Sequence, residues 1–185
     1  MGQIIAFPLP PAPYPDLTAD LDPAECVLLS AVRSWVECYR NGDDPIPRLC
    51  QGLETAGAPD AAFSIDGLMT VLSRSILRPA EIHCLRCPHL SLDEKNLLRA
   101  ASLAQADEGH VAEKVLRTTL LSAQGAEFAI GPLEGLGTLF AQARLFLTRR
   151  RLAPQDQEPG EDQEPSGEQG PRDDRVAWMP PRSLH

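Results

Sequence analysis

The residues best suited to chemistry lie in one short segment, residues 81–89, with the sequence Glu-Ile-His-Cys-Leu-Arg-Cys-Pro-His. Thiolate and imidazole are ligands that zinc prefers, and a Cys-x-x-Cys turn lets two sulfurs reach one ion. The segment therefore predicts a zinc site in which Cys84 and Cys87 supply two ligands and His89 a third. The fourth ligand stays open among three further candidates: His83, His110 and Cys50.

The same cysteines support two other interpretations, because a single Cys-x-x-Cys without a second copy at ribbon spacing is only a moderate metal signature. Cys84 and Cys87 would alternatively form a reversible dithiol–disulfide pair that senses oxidants, or would carry no chemistry. The three remaining cysteines fall on predicted helices, where a free cysteine packs as a small apolar residue. They are Cys26, Cys38 and Cys50.

Catalytic signatures are absent from the sequence. It contains no His-Glu-x-x-His, no Gly-x-Ser-x-Gly, no Walker-A loop and no Gly-x-Gly-x-x-Gly after a predicted strand. Asp93 and Glu94 are explained by helix capping rather than by paired acid chemistry. The sequence therefore favours a non-enzymatic protein with no catalytic residue.

Helical periodicity between residues 21 and 152 predicts the elements that must position the Cys/His segment. The apolar spacing there fits a single all-α bundle of five or six helices, and no sustained period-2 run indicates a sheet. Capping boxes predict two of the helix starts, at Asp22 with Glu25 and at Ser91 with Glu94. The last helix is predicted to begin at Gly131-Pro132, and residues 149–151, three consecutive arginines, are placed in its last turn.

The two ends of the chain have a different composition. Residues 1–20 are rich in proline, which predicts an extended arm, and the Pro8–Pro11 stretch is a candidate polyproline ligand. Residues 153–185 are acidic and proline-rich, which predicts a disordered tail. Near its end, Trp178, Met179 and Arg182 are predicted to bind a protein partner, because an aromatic anchor on a tether is typical of short docking motifs.

Charge narrows the range of partners. The chain of 185 residues has a formal net charge of −9, with 17 Lys and Arg against 26 Asp and Glu. This balance argues against binding nucleic acid through its phosphates and against a polybasic membrane anchor. No apolar run reaches the ~20 residues of a membrane-spanning helix, and the N-terminus lacks the pattern of a signal peptide. A cytoplasmic protein with reduced thiols is therefore expected.

The Cys/His loop followed by Leu90-Ser91-Leu92-Asp93-Glu94 resembles short, uncharacterised all-helical proteins of alphaproteobacterial type. The resemblance covers residues 24–147 and implies an intracellular all-α protein, with no activity or cofactor attached. Taken together, the sequence predicts a non-enzymatic helical protein that binds one zinc ion and acts through protein partners. The alternatives are a metal-free helical adaptor and a thiol redox sensor.

Overall fold

The computed structural model describes residues 10–153 and the backbone of Ala177–Trp178. The described residues form six α-helices and two strands of two residues, which confirms the predicted all-α bundle. The helices are α1 (Pro23–Asn41), α2 (Pro45–Glu54), α3 (Ala61–Ser75), α4 (Leu92–Gln105), α5 (Gly109–Thr119) and α6 (Ala123–Gln142). The strands are β1 (Ala80–Glu81) and β2 (Ala177–Trp178). No helix in the described part of the chain has the length and apolarity needed to cross a membrane.

Both predicted capping boxes are confirmed. At the start of α1 the Glu25 carboxylate accepts a hydrogen bond from the Asp22 N–H at 2.9 Å. At the start of α4 the Glu94 N–H donates to the Ser91 hydroxyl at 3.1 Å, and the Ser91 N–H donates to the Glu94 carboxylate at 3.0 Å. These bonds satisfy helix-end donors that have no partner within the helix, so local sequence alone sets both helix starts.

The core lies between α3, α4, α5 and α6, and α1 and α2 cover one side of it. Gly137 of α6 faces α4 closely, since a Cβ atom built on it would lie 2.8 Å from the Gln105 Cα. The Gln105 side chain also fastens the chain beyond α6, because its Nε2 donates to the Leu145 carbonyl at 2.8 Å and its Oε1 accepts from the Leu147 N–H at 2.7 Å.

The predicted start of the last helix at Gly131-Pro132 is wrong, because α6 begins at Ala123 and contains Pro132 within it. The Ser122 hydroxyl caps this earlier start by accepting from the Gly125 N–H at 3.1 Å. A proline inside a helix removes one backbone hydrogen bond. The helix continues because one buried apolar stripe runs on both sides of the proline: Ala126, Ala129, Leu133, Leu136 and Phe140.

The described part of the N-terminal arm is bound to the domain. The Tyr14 N–H donates to the Arg151 carbonyl at 2.9 Å, and the Leu90 N–H donates to the Asp16 carbonyl at 2.9 Å. The Tyr14 side chain is buried in the core, and this burial raises the pKa of its hydroxyl well above the usual range. The proline-rich composition gave no signal for this contact. Residues 1–9, with the start of the candidate polyproline ligand, lie outside the described residues.

Candidate functional site: the α3–α4 loop and the edge of β1

A buried ion pair holds the loop that contains the cysteines and histidines. The Arg33 guanidinium of α1 binds the Glu94 carboxylate of α4 through two hydrogen bonds, Nε to Oε1 at 2.7 Å and Nη2 to Oε2 at 2.9 Å. The two side chains are 2% and 0% exposed. Arg33 also donates to the carbonyl oxygens of Cys87 and His89, each at 2.7 Å. One arginine therefore joins α1, α4 and the loop.

The first turn of α4 binds the backbone on the other side of the loop. The Asp93 carboxylate accepts from the Glu81 N–H at 2.8 Å and from Arg78 at 2.9 and 2.5 Å. The Glu94 carboxylate accepts from the His83 N–H at 3.0 Å. Buried carboxylates are stable only when such donors compensate their lost hydration. These two acids therefore position β1 and the loop.

The predicted metal ligands do not converge. Both ring nitrogens of His83 already have partners, since Nδ1 lies 2.9 Å from the His89 carbonyl oxygen and Nε2 lies 3.2 Å from the Glu81 carboxylate. Cys84 and His89 are exposed, and Cys87 is half-buried. The two cysteines are joined by a turn in which the Cys87 N–H donates to the Cys84 carbonyl at 3.1 Å.

The zinc prediction is therefore wrong. Across residues 10–153, no group of three or more His, Cys, Asp or Glu side chains is arranged to hold a metal ion. Spacing along the chain was the only basis for the prediction, and it ignored two competing partners of the loop. The His83 ring faces oxygen acceptors, and the Arg33–Glu94 pair ties the loop to the helices.

The cysteines also lack a disulfide geometry. All five are free thiols, and no two of them lie at disulfide distance. Cys38 is buried, and Cys26 and Cys50 pack against the core, which confirms the packing role predicted for them. Burial, with added repulsion from the carboxylates of Glu25 and Asp22, raises the pKa of the Cys26 thiol.

We expect the double variant Cys84→Ser/Cys87→Ser to unfold within about 0.5 kcal/mol of the wild-type chain, because surface substitutions away from buried contacts have small effects. Urea denaturation of the reduced proteins measures this difference. The single variant Cys38→Ser, at a buried site, is the comparison that should lose more. A loss above about 2 kcal/mol for the double variant would show that the two thiols stabilise the fold.

The edge of β1 binds the C-terminal segment. β2 pairs with β1 in antiparallel register, with Ala80 opposite Trp178 and Glu81 opposite Ala177. The Glu81 N–H donates to Asp93, and the Glu81 carbonyl accepts from the Ser91 hydroxyl, so both backbone groups of Glu81 point towards α4. Successive residues of a strand point their backbone groups to opposite edges. Ala80 therefore faces β2, and Ala80 and Trp178 are the pair that exchanges hydrogen bonds.

The other residues of the predicted partner-binding motif, Met179 and Arg182, lie outside the described residues, as does the predicted disordered tail apart from Ala177–Trp178. The sequence predicted a binding role for the Trp178 segment but did not predict that it pairs with β1. A strand of two residues has no periodic pattern, so no sequence signal marks β1.

The arginine run at residues 149–151 binds the domain itself. Arg149 pairs with Glu108 at 2.6 Å, and Arg150 pairs with Glu25 at 2.8 Å and with Asp22 at 3.0 Å. The prediction that these arginines occupy the last turn of a helix is wrong, because α6 ends at Gln142. Their cations complement acidic side chains on other elements instead of a helix dipole.

No protein-family model, no curated protein and no solved structure matches this chain.

Proposed function

We propose that this chain is a metal-free helical adaptor that binds an extended protein segment along the edge of β1. The antiparallel pairing of β2 with β1 is the observation that carries the proposal. Strand addition to an exposed sheet edge is a common mode of peptide recognition, in which main-chain hydrogen bonds give the affinity. Here the helical domain supplies one short edge, and the C-terminal segment of the same chain occupies it.

The rigidity of β1 supports this role. Glu81 is bound to α4 through both its N–H and its carbonyl. The Arg33–Glu94 pair holds the loop that follows. An edge that is already fixed loses little conformational entropy when it binds a peptide, so it is suited to binding a strand of marginal length.

The C-terminal segment acts in this proposal as an intramolecular ligand. Twenty-three residues, 154–176, separate it from the described end of the domain. For a ligand tethered by a linker of this length, the effective concentration is on the order of 1 mM. A partner segment must therefore bind β1 strongly enough to displace the tethered segment. Once displaced, Trp178, Met179 and Arg182 become available as the partner contacts that the sequence predicts.

A peptide with the sequence of residues 172–185, labelled with fluorescein and added in trans, tests the proposal. We expect it to bind the full-length Trp178→Pro variant, whose own segment lacks the N–H that faces Ala80. The wild-type chain should bind it about tenfold more weakly, for an intrinsic dissociation constant on the order of 100 µM, because its edge is already occupied. Fluorescence anisotropy measures both affinities.

Two controls distinguish the effect of losing the Trp178 N–H from the effect of losing its side chain. The Ala177→Pro variant loses an N–H that points away from Ala80, so its own segment should stay docked and it should bind the peptide as weakly as wild type. A peptide N-methylated at its tryptophan lacks the same donor as Trp178→Pro and should not bind. Equal affinity of the labelled peptide for wild type and Trp178→Pro, or binding to neither, would contradict the proposal.

A further inference from the structure

A second feature, separate from β1, is a cavity of about 230 Å³ between α1 and α2. Its floor is formed by the buried side chains of Ala31, Leu49 and Leu53. Its rim is formed by residues of high exposure, including Ser30 and Arg48. The cavity is therefore an apolar recess that opens to solvent on a polar side.

Arg48 is the one charged residue that lines this cavity among the described residues. Its guanidinium pairs with the Glu37 carboxylate at 2.6 Å, and the two side chains are 44% and 47% exposed. An ion pair this exposed contributes little to stability, because water competes for both charges. The guanidinium can therefore exchange Glu37 for another carboxylate at small cost, while its position at an apolar recess favours an anion with an apolar body.

Gly52 is part of the cavity wall. It lies within α2, and a Cβ atom built on it would meet no atom within 4 Å. Because glycine has no side chain, the wall is open at this position, and a larger residue here has space to extend.

We propose that this cavity binds a medium-chain fatty carboxylate, with the acyl chain against Ala31, Leu49 and Leu53 and the carboxylate at Arg48. The recess, at about 230 Å³, is smaller than the roughly 300–1,000 Å³ of sites for drug-sized ligands, which suits an acyl chain of medium length. The Cys26 thiol, which also lines the cavity, has a raised pKa and stays uncharged at neutral pH, so it adds to the apolar wall. The site is independent of the β1 edge.

Titration of the full-length protein with octanoate, followed by calorimetry and by amide chemical shifts, tests this proposal. We expect shifts in α1 and α2. The Gly52→Leu variant should lose at least about tenfold in affinity, because a leucine side chain occupies part of the recess. Ala141→Leu is the control, since Ala141 is an exposed residue of α6 that does not line the cavity, and it should bind as wild type does.

The contribution of the Arg48 charge to octanoate binding is tested separately. Arg48→Gln should weaken octanoate binding about tenfold, because a charge-assisted hydrogen bond is lost, whereas Arg86→Gln on the α3–α4 loop should not change it. Octan-1-ol should bind wild type more weakly than octanoate does. Absence of octanoate binding, or binding that Gly52→Leu leaves unchanged, would overturn the site. Equal binding of the alcohol and the carboxylate would overturn the role of Arg48.

Discussion

The Arg33→Met variant is expected to lose about 3–5 kcal/mol of unfolding free energy, the range found when one partner of a buried ion pair is removed. Methionine keeps most of the volume of the arginine side chain but leaves the Glu94 carboxylate, which is 0% exposed, without its counter-charge. It also removes the donors to the Cys87 and His89 carbonyls. Urea denaturation followed by circular dichroism measures the loss.

Arg48→Met is the matched control, because Arg48 pairs with Glu37 at 2.6 Å on the surface. It should cost no more than about 1 kcal/mol. The double variant Arg33→Met/Glu94→Gln should be more stable than Arg33→Met alone, because the uncompensated buried charge is gone. If Arg33→Met and Arg48→Met cost the same, Arg33 does not stabilise the fold in the way inferred.

Arg33→Met should also disturb the proposed peptide site at β1. Glu94 binds the His83 N–H, and Asp93 beside it binds the Glu81 N–H, so a disturbed α4 start should loosen β1 as well as the loop. In hydrogen exchange we expect faster exchange at residues 80–90 in Arg33→Met, even at urea concentrations where the helices remain folded. Slow exchange there would show that β1 is held by other contacts.

The Gly137→Ala variant is expected to lose about 1–3 kcal/mol, because the added methyl group overpacks the interface of α6 and α4. The atom it would meet is the Gln105 Cα at 2.8 Å, which is backbone and cannot rotate away. Gly52→Ala in α2 is the matched control, since its Cβ would meet nothing within 4 Å. It should instead gain up to about 1 kcal/mol from higher helix propensity.

Thermal unfolding of the two alanine variants therefore gives shifts of opposite sign relative to wild type. The identical substitution of a helical glycine in both variants removes propensity as an explanation of the difference. A stabilised Gly137→Ala would show that α4 and α6 separate easily, in conflict with the hydrogen bond from Gln105 Nε2 to the Gly137 carbonyl at 3.3 Å.

The failed zinc prediction shows the limit of reasoning from spacing alone. Residues 83–89 have suitable ligand types, but a metal site also requires that their side chains point at one centre. The His83 ring is buried against the carbonyl of His89 and the carboxylate of Glu81, and Cys84 is exposed. Side-chain direction in an irregular loop depends on what packs around it, and that information is distributed over α1 and α4.

Local sequence patterns predicted the all-α class and the starts of α1 and α4 correctly. The apolar face of α1, its Asp22–Glu25 box and its stop at Gly42 are local features, and so is the Ser91–Glu94 box of α4. Each depends on residues within a few positions of one another, where backbone geometry fixes the distances. The two end regions were also recognisable from local composition, which is rich in proline at both ends and in acidic residues at the C-terminal end.

The partners of the polar residues depend on the tertiary structure. Arg33 and Glu94 are separated by 61 positions, Arg150 and Glu25 by 125, and β1 and β2 by almost 100. Pro132 remains helical because packing of the apolar stripe on both sides outweighs the loss of one hydrogen bond. A buried charge or backbone group is stable only with a hydrogen-bonding partner. Which group lies close enough to be that partner depends on how whole helices pack.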